Sequence, residues 1–388
     1  MSVPQPSRTL DVRALPGTRE VLAYRDGGEF PVMTAAPGDA LVVSLRGGAG
    51  HLGRNGRIDV IRSLDAGKTW TPPMVVADGD VDDRNPALGQ SPAGTLILAY
   101  QRQGSYDETG MYRPAAFPDR PTEIMVTRSP DAGLSWTEPV SLGNEQLTKG
   151  SPFGKIVTLA DGTLMMAVYA SSVTAGDGRQ VSHGVHTLAS YVIRSQDDGA
   201  TWDDPSLIAE GVNETGLVVL PDGNLLAVLR GNGPETALWT ARSEDAGRTW
   251  SEPAQVTASM QHPADVIVLA DGTLLLTYGN RTPPYRIEGR VSHDNGERWT
   301  DLLLTFSGPL YGRDLTSRRR TDLGYPSSAV ISAGTGRRGV TIYYYNPDIP
   351  QTTEQMDTGP NGPFYQSDGY RAVAVCWDEA ELLDAVRR

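Results

Sequence analysis

Six short stretches, each opening an apolar, strand-like run, hold most of the side chains in this sequence that could do chemistry: Glu29-Phe30-Pro31, Arg84-Asn85-Pro86, Ser151-Pro152-Phe153, Asn213-Glu214-Thr215, Gln261-His262-Pro263 and Gly324-Tyr325-Pro326. The runs that follow end on Arg46, Tyr100-Gln101-Arg102, Tyr169, Arg230, Asn280-Arg281 and Tyr345-Asn346. Among these, a phenol and a carboxylate make the most informative pair. A phenol with a pKa near ~10 attacks at neutral pH only when a neighbouring base takes its proton. Glu214 could be that base for Tyr325; otherwise Glu214 caps a strand and Tyr325 packs at a rim. Arg46, Arg84, Arg230 and Arg281 could grip a carboxylate in bidentate fashion, although a single exposed Arg is more often solvated or ion-paired. Between Arg46 and Arg57 there is no acidic residue, and His51 alone there titrates near neutrality. Asp82 and Asp83, just ahead of Arg84, are the other local acids.

What must position these residues is a repeat. The pattern Ser-x-Asp-x-Gly-x-(Thr/Ser)-Trp starts at Ser63, Ser129, Ser195, Ser243 and Ser292, the last copy carrying Arg298 where the others have Thr or Ser. The serines are 66, 66, 48 and 49 residues apart, the spacing of one four-stranded propeller blade with variable loops. Tight-turn pairs flanked by apolar runs recur six times, at Gly38-Asp39, Ala93-Gly94, Asp161-Gly162, Asp222-Gly223, Asp271-Gly272 and Ala333-Gly334. Such pairs between strand-like runs signal hairpins. The reading is six blades, all-β, in one domain over 1–388. The sixth blade lacks the Ser/Asp/Gly/Trp pattern and borrows its outer strand from TREVLAY near the N-terminus, which closes the ring and removes an open edge. Both tight turns of a blade then share one face. The long loops 46–57, 101–122, 170–187, 305–324 and 345–370 share the other and build the site. The repeated pattern is read as scaffold: Asp accepts N–H bonds of its own turn, Gly supplies positive φ, and Trp packs between sheets. Five of the seven tryptophans lie in it.

Composition narrows the function. With 34 basic against 47 acidic residues the net charge is −13, which argues against a nucleic-acid or anionic-membrane partner. No stretch approaches a membrane span, and the start MSVPQPSRTL does not read as a signal peptide. The single Cys376 excludes an internal disulfide and suits the cytosol. No metal-binding pattern and no phosphate-cradling glycine loop is present, so neither a metal nor another cofactor is expected. His293 falls inside a repeat and reads as structural; His183 and His186 fall on the third-blade loop.

The five Ser/Asp/Gly/Trp stretches resemble the Asp-boxes (BNR repeats) of the sialidase (neuraminidase) superfamily of six-bladed propellers, over essentially the whole chain. NETGLVVLPDGNLLAVLR is similar to the sialidase segment holding the Glu that activates the nucleophile and an Arg that binds the substrate carboxylate, and DLGYPSS to the segment holding the nucleophilic Tyr. The resemblance thus implies Glu214 as base, Tyr325 as nucleophile, Arg230 and Arg281 as carboxylate ligands, and a retaining exo-glycosidase acting on a terminal, carboxylated sugar. A neutral nucleophile makes sense there, because a carboxylate would be repelled by an acid group beside the anomeric carbon. Two departures stand out. Glu29-Phe30-Pro31 replaces the family's Phe/Tyr-Arg-Ile-Pro, so the first Arg of its triad is missing. The family's Asp acid has no counterpart in RGGAGHLGRNGR, which leaves His51 or Asp83 to protonate the leaving oxygen; His262 would bond sugar hydroxyls. Rival readings keep the fold and use His51 on a uronate or deoxy-sugar glycoside, by hydrolysis or elimination, or bind glycans without turnover.

Overall fold

The computed structural model describes residues 6–114, 116, 120, 122–144, 147, 149–171, 188–232, 236–310, 320–351 and 364–388. His183 and His186 lie outside them. Each apolar run, tight turn and second apolar run folds as an antiparallel hairpin, because the turn residues bring back a chain whose two strands are both buried. The first strands of these hairpins are β1 (Glu29–Ala36), β2 (Asp82–Gln90), β3 (Ser151–Thr158), β4 (Val212–Val219), β5 (Gln261–Val268) and β6 (Arg320–Ala333). Each is the first strand of a meander, and the result is an all-β, propeller-like fold with a single α-helix among the described residues, α1 (Glu379–Arg387).

The meanders of β1 and β4 are four-stranded sheets, and that of β5 carries Arg8–Asp11 as a fifth, parallel strand on Leu302–Thr305. Those of β2 and β3 join edge to edge through Gly154↔Ala87, Lys155↔Leu88 and Ile156↔Gly89, giving one eight-stranded sheet. The β6 sheet is completed by Arg19–Arg25, antiparallel to Arg371–Asp378 with Arg19 opposite Cys376. The hydrophobic cores lie between neighbouring sheets. Trp70, Trp136, Trp202, Trp250 and Trp299 each pack on a different one of them. Asp378 caps α1, whose Leu382, Leu383 and Val386 cover the core between the β5 and β6 sheets.

The repeated Asp spends its hydrogen bonds on its own turn. In the third copy, Asp197 Oδ1 accepts from Ser195 Oγ (2.8 Å) and Thr201 N–H (2.9 Å), Oδ2 accepts from Thr201 Oγ1 (2.6 Å), and Ser195 Oγ accepts from Gly199 N–H (3.0 Å). Two successive residues there are left-handed, Asp198 (φ 60) and Gly199 (φ 78), and a Cβ on Gly199 would stand 2.5 Å from Ile97. Ser195 pairs with Leu164, at the far end of its hairpin strand from Tyr169, so the motif lies on the face away from the strand ends that carry the candidate chemistry. Asp197→Ala is therefore expected to lower the unfolding free energy, measured in urea, by about 1–3 kcal/mol, with activity per folded molecule unchanged.

The feature that prepares a site is a register shift in every one of β1 to β6. It falls between Glu29 and Val32, Arg84 and Ala87, Phe153 and Val157, Val212 and Thr215, Gln261 and Ala264, and Gly324 and Ser327. Bulges re-aim side chains. In three of them a left-handed residue precedes Pro: Phe30 (φ 53), Asn85 (φ 50) and Tyr325 (φ 49). Bulky residues in that region are strained and persist only where the surroundings hold them.

Candidate active site

The bulges of β1, β3 and β6 bring Phe30, Phe153 and Tyr325 into one aromatic floor with Tyr344 and Tyr370. The Phe30 ring lies 4.7 Å from that of Tyr325 and 5.0 Å from that of His51. A cavity below the floor is lined by Phe30, Val32, Asn85, Phe153, Ala264 and Tyr325.

From β4, Glu214 meets Tyr325 across 111 residues of sequence: the phenol donates to Glu214 Oε1 at 2.5 Å. The other carboxylate oxygen accepts from Arg230 Nη1, and the Arg281 guanidinium lies 5.8 Å over the Tyr325 ring. Burial, and then the Glu214 charge, push the Tyr325 phenol well above its ordinary value, with Arg230 and Arg281 opposing. The phenol rests protonated on its base. Among the described residues, Arg230 Nε and Arg281 Nε and Nη2 are buried and have no hydrogen-bond partner.

Arg84 approaches from β2, 5.7 Å over the Phe30 ring and 3.6 Å from Asp82 Oδ2, its Nε also without a partner. Arg46, expected to hold substrate, is instead fully buried and saturated. Nε donates to Gly50 O (2.7 Å), Nη2 to Gly53 O (3.1 Å), and Nη1 to Asp83 O (3.1 Å) and to the Asp82 carboxylate. It holds the 46–57 loop in shape. Asp83 is also placed apart: its side chain points to the other side of β2 from Asp82 and Arg84 and accepts from Gly79 N–H (2.7 Å). Burial, with the Asp82 charge adding to it, raises its carboxyl to about 6, but no described contact joins it to Tyr325, Glu214 or His51. His262 is buried at the start of β5, its carbonyl against Gly279 and Gly324. His293 Nδ1 lies 3.0 Å from Thr273 Oγ1, tying its repeat to the neighbouring Asp271-Gly272 turn.

His51 does reach the floor. Its ring stacks on Phe364 (4.7 Å, 19°) and meets the edge of Phe30, while Nδ1 lies 3.1 Å from Asp322 Oδ2. Burial lowers the imidazole below its ordinary value, Asp322 works against that, and Arg84 and Arg281 reinforce it. Asp322 was not singled out from the sequence. Its signal was position, three residues ahead of Tyr325 in the same DLGYPSS stretch. Glu29, in β1 and opposite Arg46 on the next strand, is fully buried, neither of its carboxyl oxygens has a hydrogen-bond partner among the described residues, and burial raises its carboxyl well above the ordinary range.

A family model described as a BNR repeat-like domain matches residues 39–337, well over half of the chain. The chain belongs to that family. Among curated proteins none matches the sequence. Solved structures similar to this one include a protein of unknown function from Dyadobacter fermentans, at 23% identity and TM-score 0.68, covering 94% of this chain and 100% of that one. A Hadza microbial sialidase has 18% identity and TM-score 0.63, covering 91% of this chain and 66% of its own. The Trypanosoma rangeli sialidase in complex with the inhibitor DANA has 14% identity and TM-score 0.63, covering 96% of this chain and 62% of its own. The chain therefore spans less than two thirds of either sialidase. At these identities the likeness is one of fold.

Proposed function

We propose that this BNR repeat-like protein is an exo-acting, retaining glycoside hydrolase, sialidase-like in mechanism, for a terminal sugar that carries a carboxylate. The observation that carries the reading is the 2.5 Å hydrogen bond from Tyr325 to Glu214, with Arg230 on the far carboxylate oxygen and Arg281 over the phenol ring. In the first step Tyr325 Oη bonds to the anomeric carbon as its proton passes to Glu214, and the bond to the leaving oxygen breaks while His51 gives that oxygen a proton. Water then attacks the same carbon, giving its proton to His51, and Tyr325 leaves and regains its proton from Glu214. Two displacements give retention. Arg230, Arg281 and Arg84 hold the sugar carboxylate, the geometry a planar guanidinium suits. We read the meanders as six blades of one ring, in a single domain, with Arg19–Arg25 as the closing strand.

The test is a panel of terminal glycosides with acidic sugars, N-acetylneuraminic acid conjugates first, followed by the anomeric configuration of the first-formed product. Retention on an acidic sugar is expected; inversion, or release of neutral sugars only, overturns the reading. Because burial lowers the His51 imidazole below its ordinary value, the imidazolium grows as the pH falls and is the minor form at neutrality. Protonation of the leaving group then makes kcat/KM higher at pH 5 than at pH 8, and a flat profile across that range removes His51 as the acid.

One observation favours a second reading. At pH 7 a buried, neutral imidazole accepts a proton more readily than it gives one, and beside arginines that neutralise a carboxylate this suits elimination from a uronate glycoside. Elimination leaves an unsaturated sugar that absorbs in the ultraviolet, whereas hydrolysis does not.

A further inference from the structure

The buried Asp322 has no part in the chemistry assigned above, yet it is the most heavily solicited carboxylate in the site. Its side chain is wholly buried. Oδ1 accepts from the Tyr344 hydroxyl at 3.0 Å, and Oδ2 accepts from the Tyr370 hydroxyl at 2.7 Å while facing His51 Nδ1 at 3.1 Å. Both tyrosines rest protonated, since burial pushes their phenols well above the ordinary value, and an ionised carboxylate can only accept. Burial works against its charge, but His51, Arg281 and the Tyr370 hydrogen bond hold Asp322 down at about 2. A lone pair on Nδ1 would face this carboxylate at hydrogen-bond distance and be repelled by it. Nδ1 must therefore carry the proton, and the opposite ring nitrogen, Nε2, makes no hydrogen bond among the described residues.

The ring has little freedom to do otherwise. Phe364 covers one face and the edge of Phe30 meets it nearly at a right angle, 83° between planes. The loop bearing His51 is tied down by Gly50 N–H to Tyr365 O (3.1 Å) and Leu52 N–H to Phe364 O (3.1 Å). Asp322 sits on the same strand as Tyr325, so one element carries both the nucleophile and the group that faces the histidine. The other charged or titratable groups acting on this pair are Arg84 and Arg281, which disfavour the imidazolium, and Glu29, whose buried carboxyl lies near Asp322.

We propose that Asp322 is the positioning residue of this site, holding His51 with Nδ1–H turned inward so that Nε2 is the atom that exchanges a proton with the substrate. The proposal rests on reading this mouth as catalytic, and it holds whether His51 first gives or first takes the proton. A histidine held by a buried carboxylate in one tautomer loses most of its catalytic use when that partner becomes an amide.

The deciding experiment needs no substrate. In the full-length ¹⁵N-labelled protein, with the His51 signals assigned by their absence in His51→Gln, a pH series reports which ring nitrogen is protonated in the neutral form. The expected result is Nδ1–H in the wild type, and in Asp322→Asn a loss of that tautomer with a fall in the His51 pKa. Nε2–H predominating in the wild type, or a folded Asp322→Asn with tautomer and pKa unchanged, overturns the proposal. If Asp322→Asn does not fold, the wild-type tautomer and Tyr370→Phe, which strips one donor from Asp322 and should raise the His51 pKa, decide instead. On a glycoside that the protein turns over, Asp322→Asn is expected to lower kcat by about 10²–10⁴-fold with KM within about threefold, and to move the pH limb assigned to His51. An Nδ1–H tautomer in a protein that turns over no glycoside counts against the glycosidase reading and leaves the pairing in place.

Discussion

Tyr325→Phe is expected to lower kcat by at least about 10³-fold, because it removes the hydroxyl that forms the covalent bond in the proposed mechanism. Glu214→Gln costs about 10²–10⁴-fold, the range for a general base. The double variant is no worse than Tyr325→Phe, since the two side chains act as one unit and such losses do not add. The comparison also separates nucleophile from binder. If the phenol only hydrogen-bonded the sugar, Tyr325→Phe would raise KM and leave kcat within about tenfold. In Glu214→Gln the amide still offers an oxygen to Arg230, so the fold should survive and ligand binding can be measured by calorimetry. Binding retained in both variants, with wild type inactive on every glycoside tried, would point to a glycan-binding protein.

The second large effect is on stability. Arg46→Met removes a fully buried guanidinium that serves the carbonyls of Gly50, Gly53 and Asp83 and the carboxylate of Asp82. Asp82 would keep the Tyr106 hydroxyl and the distant Arg84. Breaking one side of a buried pair costs about 3–5 kcal/mol, readable as a drop in the urea midpoint. The loop it shapes carries His51, so activity falls as well, through kcat rather than through KM. A variant of unchanged stability with a raised KM would return Arg46 to the role its place at a strand end first indicated.

Arg46 and Arg84 show why part of the site was not legible in the sequence. Both are arginines at the same end of a hairpin, Arg46 closing the second strand of its sheet and Arg84 opening the first strand of the next, and by pattern they are equivalent. Which of them offers free N–H groups to a ligand depends on whether three carbonyls and a carboxylate from elsewhere converge on it, and nothing within a few residues encodes that. Asp83 and Asp82 differ in the same way. Adjacent residues on a strand face opposite sides, and the bulge that follows Arg84 shifts the register between sequence and facing. His51, by contrast, was legible as the one group of its loop that titrates near neutrality, although its partner lies 271 residues away.

Tyr325 and Glu214 could be marked as a pair from their equivalent places in the repeat, because equivalent strands around one axis send equivalent positions to one mouth. That they touch is a matter of the left-handed backbone at Tyr325, a conformation a tyrosine seldom takes.

What the sequence by itself determined is the all-β class, the repeated units and the end of each strand where chemistry is to be sought. Those rest on interactions closed within a few residues: turn pairs that reverse the chain, and a Ser-x-Asp-x-Gly-x-Thr unit that satisfies its own donors. The tertiary structure alone decided that Asp322 stands behind His51, that the Glu29 carboxyl is fully buried, and that Arg46 is tied into its own loop. Asp322 and His51 are 271 residues apart, and Arg46 is held by groups between 4 and 37 residues away; in each case burial and convergence in space decide, and local pattern does not record them.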